Sequence, residues 1–396
     1  MRYRTYILLT LISSGIFAGC KKPYLPPVSS GDIHLLVVEG VINTGGDSTI
    51  IHLSRTIPLS SPDNVQSPPE VNASVVIQSD ANGSYPLTNL GNGNYAAVGL
   101  TLNVSNKYRL QITTADNKLY QSDFIAAKNS PPIDSLSFQA KSNAVQVNVN
   151  THDPSNNTRY YRWDYTETWE IFADYESDFM LQTTPVDAIV ARPPADQIYK
   201  CWSSDKSNDI VLGSTEKLTN DILVNAPVTV IPSSSEKFTQ RYSILVKQYA
   251  LTKDAFEYYQ QLRNNTETLG SIFDPQPSSL TGNIHCITEP AESVIGYITA
   301  GSVTQKRFYI DKGDLPGTTQ YITSKPYNQC FLDTLYFVDP KTKQDMVSLQ
   351  IYHGDAIPIV PFGRPGSPPL GWVASAGICV DCTLRGVNKQ PAFWIE

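Results

Sequence analysis

Charge is scarce in this sequence. Asp, Glu, Lys and Arg make up 17% of the 396 residues, and the formal net charge is −7. No basic run is long enough to track a phosphate backbone, so nucleic acid is excluded as a natural partner. Long apolar runs are missing too. Beyond the first residues, no segment approaches the roughly 20 apolar residues that a membrane-spanning helix needs. Catalytic signatures are also lacking: the chain has no G-x-S-x-G, no H-E-x-x-H and no P-loop. Its five histidines, His34, His52, His152, His285 and His353, are scattered. His152-Asp153 and His353-Gly354-Asp355 do place an imidazole near a carboxylate, as a general base or metal site would. Both stand in turn-like stretches, where Asp is ordinarily a turn former. The sequence therefore assigns no catalytic residue, no metal site and no cofactor.

Turn formers and aromatics are plentiful: 22 Tyr, 28 Pro and 23 Gly. With many Ser, Thr and Asn, this is the composition of an extracytoplasmic β-protein with long turns. The N-terminus agrees. Arg2 and Arg4 precede an apolar run from Tyr6 to Phe17, and Phe17-Ala18-Gly19-Cys20 follows. A basic start, a short apolar stretch and small residues before the cleavage point make a secretory signal over residues 1–19. A cysteine directly after Ala-Gly is the lipobox arrangement, with Phe17 where leucine is commoner. Cys20 is then the acylated first residue of the mature chain, and several acyl chains on one residue anchor stably. Removing residues 1–19 takes Arg2 and Arg4 with it, so the formal charge becomes −9. Residues 20–32, rich in Pro and Ser, form a tether. Lys21 and Lys22 follow the lipid cysteine where acidic residues would favour surface export, which leaves the membrane face open.

Five cysteines remain after Cys20, and an exported chain meets an oxidising compartment. Five cannot all pair internally. Cys379-Val-Asp-Cys382 is a lone C-x-x-C without a strand feeding a helix N-terminus, which argues against a redox pair. The expectation is structural disulfides among Cys201, Cys330, Cys379 and Cys382 that pin the C-terminal segment, with Cys286 left over; their connectivity is not deducible.

The fold class is mainly β. Residues 33–129 show short strands every 8–12 residues with turn signals such as Asn82-Gly83, the pattern of an immunoglobulin-like sandwich. Ser130-Pro131-Pro132 reads as a linker, and residues 130–396 as a larger β-rich domain. Its clearest strand alternates Tyr161, Trp163, Tyr165, Trp169 and Ile171 on one face. Arg162, Asp164, Thr166, Thr168 and Glu170 take the other, so the aromatics belong to a core. Arg241–Tyr249 is a further strand. Thr252 then caps a helix over 252–269, with Ala255, Tyr259, Leu262, Thr266 and Leu269 along one face and Gly270 as its stop. Residues 311–396 are loop-rich, with strands expected at Thr334–Val338 and Val347–Tyr352. The terminal Phe393 and Trp394 pack on the body, since exposed aromatics are costly to hydrate.

Several phrases together resemble the Bacteroidota lipoprotein family known as domain of unknown function 4249. Among them are LLVVEGVINTG, YYRWDYTETWE, RYSILVKQYALTKDAFEYYQQLRNNTETLGSIFDPQPSSLTGNI and CVDCTLRGVNKQPAFW. The resemblance implies an outer-membrane lipoprotein with an N-terminal immunoglobulin-like sandwich, encoded beside a TonB-dependent receptor. It supplies no catalytic residues. The expected function is a non-catalytic accessory or binding partner of such a receptor in nutrient uptake. The alternatives are an extracytoplasmic hydrolase acting on a polymer and a structural or adhesive surface protein. The turn-rich segment from Asp274 through Pro275, Gln276 and Pro277 is either a partner-contact loop or a covering loop.

Overall fold

The computed structural model describes residues 34–57, 66–184, 187–267, 280–316 and 330–395. Nine strands come first: β1 (Leu36–Asn43), β2 (Thr49–Arg55), β3 (Ser74–Ser79), β4 (Ser84–Pro86), β5 (Thr88–Gly91), β6 (Asn94–Ala97), β7 (Lys107–Thr113), β8 (Leu119–Ser122) and β9 (Ile125–Ala126). They alternate buried and exposed residues, as in Ser74–Ser79, because one face of each sheet meets the other sheet. Leu36, Ile42, Ile51, Leu53, Ile77, Tyr95 and Tyr108 are fully buried between the sheets. This is the immunoglobulin-like sandwich, and the protein is mainly β.

The sandwich is not made of residues 33–129 alone. Two short strands from much later in the chain, β19 (Ile284–Cys286) and β20 (Thr299–Gly301), complete its sheets. The first sheet runs β20-β1-β2-β6-β5, and the second begins β19-β8-β7-β3-β4. Ile284, Cys286, Val294, Ile298 and Ala300 join the same core. A division at residue 129 therefore separates strands that share a core. The returning segment is also held by polar contacts. Lys118 Nζ bonds Glu292 Oε2 at 2.6 Å, and the Tyr120 hydroxyl donates to Glu292 Oε1 at 2.7 Å.

Between these visits, and with one strand after the second, the chain builds a second sandwich. One sheet is β10 (Ile133–Ala140), β11 (Ala144–His152) and β17 (Ile222–Pro232). The other is β15 (Lys200–Lys206), β12 (Tyr160–Phe172), β18 (Arg241–Ala250) and β21 (Val303–Asp311), with β16 (Val211–Ser214) beside β12. β12 buries Tyr161, Trp163, Tyr165, Trp169 and Ile171. Glu167 shares that inward face. Its carboxylate accepts from Lys237 Nζ at 2.5 Å and the Tyr242 hydroxyl at 2.7 Å, so the buried charge is compensated. Burial, then Glu167, pushes the Tyr242 hydroxyl well above its ordinary pKa.

A three-stranded sheet, β22 (Asp333–Tyr336), β24 (Gly371–Ala376) and β23 (Ala356–Phe362), closes the fold, with the hairpin β13 (Phe179–Gln182) and β14 (Ala188–Ala191) nearby. The strand expected at Val347–Tyr352 is instead helical, a wide turn over Ser348–Tyr352. Val347 and Ile351 are both buried beside Trp372, while Leu349 between them is 47% exposed. A strand would put all three on one face, whereas a helix turns the middle residue away. Trp394 is buried against Trp202 and Tyr309, with ring centroids 6.3 and 6.0 Å apart. Its neighbour Phe393 lies under Arg307, 3.5 Å away.

Two chain segments cross between the sandwiches side by side. Lys128 bridges Gly301, Ser130 N–H donates to Ser302 Oγ at 2.9 Å, and Thr304 Oγ1 donates to the Pro131 carbonyl at 2.9 Å. Gln248, fully buried, accepts from Trp163 Nε1 and donates to the Pro131 carbonyl and Thr151 Oγ1. A Cβ on Gly301 would stand 2.3 Å from the Lys128 carbonyl oxygen, whereas one on Gly46 would meet nothing. Gly301→Ala is thus expected to lose about 1–3 kcal/mol, the usual cost of overpacking, while Gly46→Ala stays near neutral. Urea unfolding of the two variants checks this; equal midpoints would contradict the close crossing.

Candidate functional site

The outer face of the β12–β18–β21 sheet is the floor of a cleft of about 840 Å³ between the two sandwiches. Strand register sets the floor in rows. Arg162 stands beside Tyr249 and then Val303, and Asp164 beside Lys247 and then Gln305. The first sandwich supplies one wall from β1, including Glu39, with Asp47 and Ser48 beyond it. The helix that follows β18, α1 (Lys253–Glu267), supplies Tyr258, Tyr259 and Leu262. It forms where expected: the Thr252 hydroxyl accepts from Ala255 N–H at 3.3 Å. Ala255 and Tyr258 are its buried residues, and residues 268–270 lie outside the described ones.

Arg162 is the central side chain. Its guanidinium carbon lies 4.6 Å from the Tyr249 ring centroid and 4.5 Å from that of Tyr259. Two rings at this range hold a cation by their quadrupoles. Its side chain is 14% exposed, and its one bonded carboxylate, Asp164 Oδ2, stands 3.2 Å from Nη2. Among the described residues its Nε–H is buried with no acceptor. Asp164 is 44% exposed, so water screens it and the arginine's charge is only partly offset. The surrounding tyrosines stay neutral. Burial, then Asp164, holds the Tyr249 hydroxyl above its ordinary value, and burial, then Tyr259, pushes Tyr258 up to about 12. Each remains a donor across the physiological range.

The residues singled out by sequence lie elsewhere. Cys20 and the segment Asp274, Pro275, Gln276 and Pro277 lie outside the described residues. Cys201 bonds Cys382 and Cys330 bonds Cys379, which ties β15 and residue 330 to the segment after β24; Cys286 is free and buried. The C-x-x-C is thus two halves of different bridges. Among the described residues no group of His, Cys, Asp and Glu is arranged to hold a metal ion. His152 does not use Asp153. The Asp153 carboxylate accepts from the N–H groups of Ser155, Asn157 and Thr158. Although burial opposes it, that bonding holds its pKa down to about 2, the signature of a turn residue. His152 Nδ1 instead lies 2.8 Å from Asp134 Oδ2, on the surface. His353 and Asp355 are exposed in a turn.

Sequence reasoning placed Arg162 and Asp164 on the outward face of β12 but gave that face no role. The signal was present as two adjacent outward charges; the stacking partners come from β18 and α1, which alternation within one strand does not specify.

The His152–Asp134 contact makes a pH prediction. The hydrogen bond to Asp134, and then its charge, raise the His152 pKa. A raised folded-state value means the stabilisation is full below the ordinary 6.5 and is lost as pH rises through the shifted value. NMR titration should give a His152 midpoint above about 6.5. Asp134→Asn should return it to that value, and an unmoved midpoint would refute the contact.

No curated protein matches the chain. Among solved structures it is similar to a two fibronectin type-III domain segment from chicken tenascin, at 12% identity over 54% of this chain and 90% of that one, with a TM-score of 0.15. Chicken interferon gamma receptor alpha chain is matched at 9% identity over 55% and 90%, also with a TM-score of 0.15. Chitinase ChiA74 from Bacillus thuringiensis is matched at 10% identity over 52% and 30%, with a TM-score of 0.16. Superpositions this low add nothing to the fold given by the strand pairing. The family model described as domain of unknown function (DUF4249) matches residues 21–307, and the chain belongs to that family.

Proposed function

We propose that this protein is a lipid-anchored outer-membrane lipoprotein that acts as a non-catalytic binding partner of a TonB-dependent receptor in nutrient uptake. The observation that carries the binding reading is the cleft between the sandwiches, floored by a stacked, under-compensated arginine. A concave site with a few convergent polar groups and aromatic walls is the usual form of a small-ligand site. The lipobox at Cys20 supports the anchor. The two disulfides support an exported chain. The receptor as partner rests on the family resemblance. Hydrolysis of a polymer needs a positioned acid and base. The histidine–carboxylate pairs offered by the sequence are a surface contact and turns, so no observation favours that reading.

A C-terminally tagged chain, purified from its native host in mild detergent, is expected to bring down a stoichiometric TonB-dependent receptor identified by mass spectrometry. A lone lipoprotein would overturn the partnership and direct attention to hydrolase substrates. Separately, Cys20→Ser is expected to move the protein from the membrane fraction to the soluble fraction. Unchanged membrane retention would overturn the lipid anchor.

A further inference from the structure

The charges of the cleft are unevenly placed. The floor carries both bases, Arg162 and Lys247, with the single acid Asp164, and Lys247 forms no ion pair among the described residues. Glu39, Asp47 and Asp209 are exposed acids on the walls facing the space, and they too form no ion pair there. A mixed-sign surface of this kind usually neutralises itself. Here, among the described residues, only Arg162 and Asp164 do so, through one contact. The guanidinium is held by two rings and is nearly buried, so its orientation is fixed before any ligand arrives. Pre-organised arginine is the group best suited to a carboxylate, which it meets with paired, charge-assisted bonds. An additional dianion would be repelled by the acids of the walls, whereas an ammonium group would be attracted to them.

We propose that the cleft binds a short peptide with free termini. Arg162, backed by Lys247, takes its C-terminal carboxylate, and Glu39, Asp47 and Asp209 receive its amino end. Tyr258, Tyr259 and Tyr297 supply apolar surface between the two ends. A neutral sugar would use the rings but would leave the Arg162 edge without a charged acceptor, and so is disfavoured. This inference rests on the reading of the cleft as a binding site, though not on the receptor.

Isothermal titration calorimetry on the full mature lipoprotein in mild detergent tests it. The probes are tripeptides with apolar, acidic and basic side chains, their C-terminal amides, their N-acetyl forms, and maltotriose. At least one free tripeptide is expected to bind, and amidation should weaken it about tenfold or more, the loss of a charge-assisted contact. Arg162→Gln should weaken the free tripeptide similarly and leave the amide unaffected, with Arg162→Lys intermediate. N-acetylation should lose affinity in the native chain but not in the variant carrying Glu39→Gln, Asp47→Asn and Asp209→Asn. Thermal melting confirms that each variant is folded. If no tripeptide binds the folded native chain, if maltotriose binds as well, or if amidation and Arg162→Gln change nothing, the proposal is overturned. Because no receptor is present, failure here leaves the receptor partnership standing, and a failed co-purification leaves peptide binding standing.

Discussion

The paired crossover between the sandwiches is the constraint on which the rest depends. One covalent linker would let two sandwiches pivot, and a space between them would have no fixed shape. Here the two segments that leave the first sandwich for the second, Lys128–Pro131 and Gly301–Thr304, are bonded to each other and to Gln248 in the core. Each bond contributes only about 1 kcal/mol net. Their effect is geometric, because reorienting the sandwiches would break them together and leave buried polar groups unsatisfied. The chain's return to the first sandwich before the second crossing is also what completes it, since β20 pairs in parallel with β1 at Val41–Asn43. Gly296 makes room for that approach: with φ +137, a Cβ there would lie 2.1 Å from the Val38 carbonyl oxygen.

β12 then links stability to the site. Alternate residues of one strand face opposite ways, so Trp163 and Arg162 are neighbours in sequence and opposites in role. Trp163 is fully buried, and truncating it would cost about 3–5 kcal/mol. That packing holds the strand in place while Arg162 and Asp164 stand over the cleft. The nearly buried guanidinium is held by the rings of Tyr249 and Tyr259 together with its screened acid partner Asp164.

The C-terminal segment depends on covalent support. Its small sheet buries few large side chains, with Leu335, Val347, Ile351, Trp372 and Ala374 as the cluster. Two bridges tie it down, spanning 181 and 49 residues in sequence. In the loop-entropy account each is worth on the order of 3–5 kcal/mol, comparable to the burial of two large apolar side chains.

By itself the sequence determined the local matters: strands by alternation, α1 by its Thr252 cap and apolar face, the β class by composition, and the cysteines set for bridging by count. These are settled within a few residues, because period and capping are properties of neighbours. It also marked Arg162 and Asp164 as outward. Only the tertiary structure decided that β19 and β20 belong to the first sandwich, that Ser348–Tyr352 is helical, which cysteines pair, and that the outward face of β12 floors a cleft. The physical reason is the same each time. A three-residue strand has too little pattern to declare its partner, and Arg162 meets Tyr249 and Tyr259 only after the chain has returned across some ninety residues. Contacts of that separation are chosen by the packing of whole sheets, not by any segment alone.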